Sequence, residues 1–544
     1  MCSAAHHHAD GRSADALLRT AAQRWGSTTA LVDASGGITF ASLDQRVDAL
    51  AAGLRARLPL RGTRVAVWLD KRVDTVALLF AAMRAGLLAV PVNPALRPAQ
   101  VRATLLDCGA ALLCTDSSRL QALTGDTPCA VISIDDDAAL ASLVDAGRGL
   151  PSAPAQRDSD ELALLLYTSG STGQPKGVMV SHANLLAGAQ SVAQFQALSQ
   201  DDRLLVALPL SFDAGFSQIT SAWAAGACAV LLEHLFAADI QRAIDQYQIT
   251  GITAVPPLYL QLLALAASSG SGASLRFFAN TGGHLSAEQW QALQARWPRA
   301  QPIPMYGLTE AFRASWLPRA HLATSLGAIG IAIPNARLHV LRPDGSACAV
   351  GEYGELVQQG PLVTRGYWND PARSAERFRP GPDGDAAVWS GDTVYADHAG
   401  ILWFVGRRDE QIKTSGYRVS PTEVEAAAAA CGVATCVALG VPDPRLGQAI
   451  VLVVERTTDD ADSGRSFGPG PDGSGADDAS RAAPDEPDPE NTRLLAALRR
   501  KLSSWQVPQR IIYWPGVLPR NANGKFDRPA IRASLLTSEP TKTS

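Results

Sequence analysis

The 544 residues predict an α/β protein. The expected layout is a large N-terminal domain of parallel-rich sheets flanked by helices, with a small β subdomain, then a small mobile α+β C-terminal domain. Three observations carry this. Helical and strand patterns alternate from about Ala14 to Val405, and repeated β-helix-β units bring strands together in parallel with helices on their faces. From Ile329 to Val405 the texture changes to short strands with Gly, Pro and Asp-Gly turns, as in "VLRPDGSAC" and "GEYGELVQQG", which reads as a compact β unit. The length exceeds the roughly 250–300 residues at which one core stops growing. A charged, turn-like stretch follows Arg408, so the domains are read as 1–408 and 409–544.

The elements follow in order. "DQRVDALAAGLRARL" has apolar residues at helical spacing, and "TRVAVWL" reads as a strand. "VDTVALLFAAMRAGL" is a helix and "LAVPVN" a strand; Arg84 and the proline argue for a buried helix and strand rather than a membrane span. "AQVRATLLDCG" and "ALLCTD" repeat the unit. The rhythm recurs after Asn184 with "DRLLVALPL", "QITSAWAAGA", "CAVLLE", "ADIQRAIDQYQ" and "ITGITAVPP". Residues from about 457 to 492 are acidic, rich in Gly, Pro, Ser and Asp, and almost free of large apolar side chains. They read as a disordered insert in the small domain, which resumes at "LLAALRRKLSSWQVPQRIIYW".

Composition narrows the function. With 48 Lys+Arg against 52 Asp+Glu the chain has no basic field for nucleic acid or an anionic membrane. Cys2, Cys108, Cys114, Cys129, Cys228, Cys348, Cys431 and Cys436 show no zinc-ligand spacing, and read as reduced thiols of a cytoplasmic protein. The N-terminus lacks the apolar core of a signal peptide, and His6, His7 and His8 read as part of a floppy extension.

The chemistry is densest in "YTSGSTGQPKGVMVSH". A Walker A loop needs GxxxxGK[ST], but here Lys176 follows Pro175 and precedes Gly177, so that reading fails on its defining residues. What remains is a hydroxyl- and glycine-rich loop. Its backbone N–H groups and the hydroxyls of Thr168, Ser169, Ser171 and Thr172 can surround phosphate oxygens, with charge from Lys176. A helix opening near Ser181 is expected to add its dipole.

This stretch resembles the signature loop of the adenylate-forming superfamily: acyl-CoA synthetases, adenylation domains of nonribosomal peptide synthesis and beetle luciferases. Four further motifs stand in the family's order: "MYGLTE" at Met305–Glu310, "WSGDTVYAD" at Trp389–Asp397, "FVGRRDEQIKTSGYRVSPTEVE" at Phe404–Glu425 and "LPRNANGKFDR" at Leu518–Arg528. The resemblance covers nearly the whole chain. It implies an ATP-dependent ligase that joins a carboxylate to the α-phosphate, expels pyrophosphate and passes the acyl group to a thiol. Two anions must meet, so lysines and Mg²⁺ must cancel charge.

By the resemblance, the 168–177 loop, with Gly170 and Gly173, holds the β- and γ-phosphates. Thr309 bonds the α-phosphate, and Glu310 holds Mg²⁺ as a hard oxygen ligand. Tyr306 packs on the adenine, with Gly282, Gly283 and Gly307 in the same ATP site, while Asp392 and Arg407 hold the ribose. Lys525 bridges the substrate carboxylate and the α-phosphate. Asp409 is the hinge of a small-domain rotation that brings Lys413 and Gly416 to the thiol's tunnel. The thiol belongs to CoA or to the phosphopantetheine arm of a separate carrier protein.

The acid is read from "LPLSFDAGFSQ". Amino-acid-activating members carry an Asp at the place of Asp213, paired with the substrate ammonium. A carboxylate in an otherwise apolar pocket is costly without a cationic partner, which inclines the reading to an amino acid; the alternative is a fatty or aryl acyl-CoA synthetase. Asp213 as a helix cap is the plain structural reading. Phe212, Ser217, Ala254, Ala279, Met305 and Arg313 are the other expected pocket residues. Arg313 has two readings, a polar substrate contact or a structural ion pair, and His284 departs from the family's usual residue. A luciferase-type oxygenase and a catalytically dead scaffold stand as further alternatives.

Overall fold

The computed structural model describes residues 13–123, 126–153, 158–169, 175–233, 236–266, 271–283, 285, 287–407, 412–419, 421–433, 435–455, 489–519, 526 and 528–537. They form two compact units, one reaching residue 407 and one starting at 412.

Two large sheets organise the first unit. One has six strands in the order Ala130–Ser133, Leu112–Thr115, Arg64–Trp68, Leu88–Pro91, Leu162–Ser169, Pro175–Ser181. The first five are parallel and the last is antiparallel to its neighbour. The other has nine strands. Its parallel centre runs Gln301–Tyr306, Phe277–Asn280, Gly251–Ala254, Arg203–Val206, Cys228–Leu231, Thr29–Asp33, and antiparallel strands close both edges. A third, five-stranded antiparallel sheet is built around the long strand Ala386–Ala396.

The main core joins these layers. Helix Val73–Arg84 is buried at every position except Asp74, as a helix that is apolar all round must be. Its one buried charge, Arg84, is fully neutralised. The guanidinium donates to Asp15 at 3.0 Å, Asp44 at 2.5 Å and Asp48 at 2.9 Å. The following strand, Leu88–Pro91, is also buried throughout. Among the described residues no helix is long and apolar enough to cross a membrane.

The second unit is a five-stranded mixed sheet. Gly447–Glu455 lies between Ile412–Thr414 and Cys436–Asp443, and Arg510–Trp514 runs parallel to it. Period-two alternation feeds two cores. Ala438, Ile450 and Leu452 meet Val424, Ala428 and Leu498 of helices Pro421–Ala429 and Pro489–Lys501, while Val437, Leu439 and Val453 meet Ile531 of helix Arg528–Thr537. The segment read as a disordered insert lies largely outside the described residues.

Candidate active site

The phosphate-loop motif sits on a hairpin. Leu162–Ser169 pairs antiparallel with Pro175–Ser181, and the described ladder ends with Thr168 opposite Lys176 and Ser169 opposite Pro175. Gly170, Ser171, Thr172 and Gly173 fall outside the described residues. The expected help from a helix dipole does not materialise. The helix is His182–Phe195, and the whole strand Pro175–Ser181 separates it from the loop. At about 3.3 Å per residue that strand spans roughly 20 Å, whereas a helix dipole acts within about one turn of its end. Ser181 instead caps its own helix, its side chain accepting from the Asn184 amide at 3.2 Å.

A segment remote in sequence completes the hairpin's edge. Trp368 N–H donates to Gly177 O at 2.7 Å, Met179 N–H to Gly366 O at 2.9 Å and Arg365 N–H to Met179 O at 2.9 Å. Gly177 is needed for this approach, since a Cβ there would stand 3.0 Å from the Tyr167 ring and 3.2 Å from Trp368 Cβ. The result places Tyr367 between two expected site residues. Lys176 Nζ lies 5.2 Å from the centre of its ring, and its hydroxyl donates to Glu310 Oε1 at 2.8 Å. Sequence reading missed Tyr367, because nothing local marks a contact made across so much chain.

The "MYGLTE" motif runs from strand Gln301–Tyr306 into a single 3₁₀ turn, Thr309–Ala311. Thr364 holds this turn, its amide and hydroxyl donating to Glu310 O at 3.0 and 2.9 Å. Next comes Phe312, at φ 59° and ψ −59°, with Arg313 N–H donating back to Ala311 O at 2.6 Å. This is a γ-turn of the rarer, strained hand, of the kind that collects at functional sites. The buried Phe312 ring packs over Gly188, where a Cβ would lie 3.1 Å from it.

The turn delivers Arg313 to Asp213. Arg313 Nη1 donates to Asp213 Oδ2 at 3.0 Å, and the Thr309 hydroxyl donates to Asp213 Oδ1 at 3.3 Å. Asp213 is the first residue of helix Asp213–Ala224, whose N-cap is Phe212, so it does not cap that helix. The premise that Asp213 is a buried carboxylate without a cationic partner is corrected here, because Arg313 supplies a cation from within the chain. Burial lowers the Arg313 pKa and the Asp213 carboxylate opposes that pull.

The ribose motif is shaped by an irregularity. The register between Gly354–Gln359 and Ala386–Ala396 shifts near Glu355, and Gly391 takes φ 71° with its amide donating to Glu355 Oε1 at 2.9 Å. Such a bulge re-aims the next side chain. Asp392 is buried and accepts from the Tyr306 hydroxyl, and the Tyr306 ring lies 6.3 Å from that of Phe404. Arg407 is the backbone partner of Asp392 across the ladder; its side chain is outside the described set. Gly282 and Gly283 follow strand Phe277–Asn280, with Asn280 Nδ2 donating to Gly283 O at 2.8 Å. Gly307 packs against the Phe312–Arg313 backbone. His284 lies outside the described residues.

A small cavity lies among helices His182–Phe195 and Asp213–Ala224 and the nine-stranded sheet, with about 10 Å³ open to water centres, room for about one water. Of the expected pocket residues, Ser217 and Arg313 line it, together with Gln218, Ser221, Thr253 and Phe277. Ala254 is a second correction. Alternation along Gly251–Ala254 turns Gly251 and Thr253 to the cavity and puts Ala254 in the core on the other face. Ala279 and Met305 belong to the main core and do not line the cavity.

In the second unit, Ser415 and Gly416 at φ 52° and 80° form the tight turn joining Ile412–Thr414 to Tyr417–Val419, which itself asks for glycine. Lys413 N–H donates to Gln448 Oε1 at 2.7 Å. Asp409 and Lys525 lie outside the described residues. No cluster of three metal-ligating side chains occurs among the described residues. Glu310 alone suits Mg²⁺, which is commonly held by one or two carboxylates plus substrate phosphates and water.

The chain resembles known proteins over most of its length. The chain is 31% identical to a feruloyl-CoA synthase of an Amycolatopsis species, over 93% of this chain and 95% of the relative. It is 30% identical to an L-proline–[L-prolyl-carrier protein] ligase of Pseudomonas fluorescens, over 93% and 96%. Its fold matches a double mutant of o-succinylbenzoate CoA synthetase from Bacillus subtilis at a TM-score of 0.78 and 24% identity, over 95% of this chain and 98% of that one. Residues 18–368 match the AMP-binding enzyme family, and the chain belongs to it.

Proposed function

We propose that this protein activates a short carboxylic acid as an acyl-adenylate, releasing pyrophosphate, and transfers the acyl group to a phosphopantetheine thiol of CoA or a carrier protein. The observation that carries it is the meeting of Lys176 and Glu310 on Tyr367, with Thr309 one residue away. A lysine, a carboxylate able to hold Mg²⁺ and a hydroxyl, brought together from distant segments, are what an ATP triphosphate requires.

In this reading the loop and Lys176 orient the β- and γ-phosphates, and Thr309 turns its hydroxyl from Asp213 to the α-phosphate. Mg²⁺, when bound at Glu310, supplies charge neutralisation. Asp392 takes the ribose hydroxyls, exchanging its bond from Tyr306 for the sugar. Lys525 steadies the negative charge that develops as the carboxylate oxygen attacks phosphorus and pyrophosphate departs. Asp409, Lys413 and Gly416 then serve the thiol step.

One observation favours an amino acid as a second reading. Among the described residues, Asp213 Oδ1 accepts a single hydrogen bond, at 3.3 Å from the Thr309 hydroxyl. Once Thr309 turns to phosphate, that oxygen can accept from an ammonium, as the likeness to the prolyl-carrier ligase suggests. The test is ATP–pyrophosphate exchange across amino, hydroxy, fatty and aryl acids. AMP and pyrophosphate are the expected products; ADP, or no acid-dependent exchange, would refute the ligase. An Asp213→Asn variant that leaves the best acid's KM unchanged would remove the ammonium reading.

A further inference from the structure

Two buried polar atoms, on side chains that line the small cavity, have no hydrogen-bond partner among the described residues. Arg313 is 3% exposed, and both of its hydrogen bonds, to Asp213 and to Phe312 O, leave from Nη1. Its Nε has no hydrogen-bond partner. Gln218 is 5% exposed and spends its Nε2 on Leu205 O at 2.8 Å, while its Oε1 has no partner. Both side chains line the same cavity. A buried donor and a buried acceptor left unmade are each costly, so this place is built to receive a group that both accepts and donates.

Size and charge select that group. The open volume takes about one water-sized group, so only a small polar substituent of the acid, and not its carbon skeleton, enters here. The Arg313–Asp213 pair is already neutral, so a second carboxylate would leave a net buried negative charge, which is expensive. A hydroxyl has the matching chemistry: it can accept from an N–H such as Arg313 Nε–H, can donate to an oxygen such as Gln218 Oε1, and adds no charge. Thr309, proposed to meet the α-phosphate, and Arg313 hold opposite oxygens of one carboxylate, which links this cavity to the proposed site of reaction.

We infer that the acid this enzyme activates is a hydroxy acid, its hydroxyl seated between Arg313 and Gln218. The inference rests on the ligase reading and names the substrate class of that site. It is indifferent to an α-amino group, so the same preference applies to serine over alanine as to β-hydroxybutyrate over butyrate.

The experiment is ATP–pyrophosphate exchange with the wild-type full chain on matched pairs: lactate and propionate, β-hydroxybutyrate and butyrate, γ-hydroxybutyrate and butyrate, serine and alanine, threonine and α-aminobutyrate. A set of fatty and aryl acids runs beside them. The expected result is one pair whose hydroxylated member exceeds its partner by at least about 100-fold in kcat/KM, as sites built around a substrate hydroxyl achieve. Gln218→Met, which keeps the bulk and removes the acceptor, should bring that ratio below about tenfold. Equal rates within every pair would mean that a permanent water fills the site and would overturn the inference, as would a preference for acids that carry no hydroxyl. Exchange with none of the acids would instead refute the ligase reading. The wild-type ratio decides even if the variant does not fold.

Discussion

The proposed nucleotide end and the proposed acyl end of the site are built by different means. At the nucleotide end, backbone geometry does most of the placing: a hairpin ladder sets Lys176, a 3₁₀ turn sets Glu310 and a bulge at Gly391 aims Asp392. At the acyl end, placing depends on one side-chain pair, Asp213 with Arg313, exactly 100 residues apart in the chain. The first construction serves any acid, because every turnover uses the same nucleotide. The second varies with its side chains and so is where specificity resides.

The comparison breaks most visibly at the pair. Arg313→Met leaves Asp213 in a mostly buried place with only the Thr309 hydroxyl, a loss expected to cost about 3–5 kcal/mol. Adding Asp213→Leu should recover most of it, since no charge is then stranded. Urea melting of both variants against the wild type measures this; a single variant within about 1 kcal/mol of wild type would show that the pair is not structural. In the proposed mechanism, Lys525→Ala should lower adenylation by about 10²–10³ while a supplied acyl-adenylate is still thiolated at nearly the wild-type rate. Equal loss in both half-reactions would remove the division of labour between the two faces of the small domain.

The two ends also differed in legibility. The alternating strands and helices could be read because period and turn chemistry are local: "TRVAVWL" and "LAVPVN" became the parallel neighbours Arg64–Trp68 and Leu88–Pro91. Thr309, Glu310 and Asp392 were legible for a related reason, since each sits in a short motif that fixes its own turn or strand. Tyr367, Gln218 and Thr253 were not. Tyr367 reaches the site by pairing with a strand almost 200 residues away, and Thr253 displaced Ala254 because the face a strand presents is set by sheet register. That Asp213 is already paired was missed because its partner cannot be inferred from its neighbours. Arg313 had both readings open, and only the strained turn at Phe312 decides where its guanidinium points.

Tyr367→Phe sharpens the comparison from the nucleotide side. It keeps the ring beneath Lys176 and removes the hydroxyl that orients Glu310. A hydrogen bond to a charged group is worth about 1.5–3 kcal/mol, so kcat/KM for ATP should fall roughly tenfold or more. Raising Mg²⁺ should recover part of the loss if Glu310 is the metal's carboxylate; no recovery would detach Tyr367 from that role.

The smallest expected effect concerns Lys71, which secures the chain leading to Asp213. Its buried ammonium donates to Ala207 O at 2.8 Å, at the start of the segment that ends in Asp213. Burial lowers its pKa from 10.5 to about 8, against the pull of Glu233 and Asp70. The folded state therefore gives up this proton before the unfolded state does. Between about 8 and 10.5 the unfolded chain binds more protons, so this group's contribution to stability rises with pH, by about 1 kcal/mol over the first pH unit. Buried thiols act in the opposite sense. Burial raises Cys108 to about 11 and Cys114 to about 12, so their contribution falls once pH passes the ordinary thiol value of 9.0. The difference between wild type and Lys71→Met cancels the thiols and isolates the lysine. That difference should move in favour of the wild type as pH rises from 8 to 9. A difference that stays flat would mean that Lys71 is not buried as an amine, and the anchor on the acyl segment would have to be sought elsewhere.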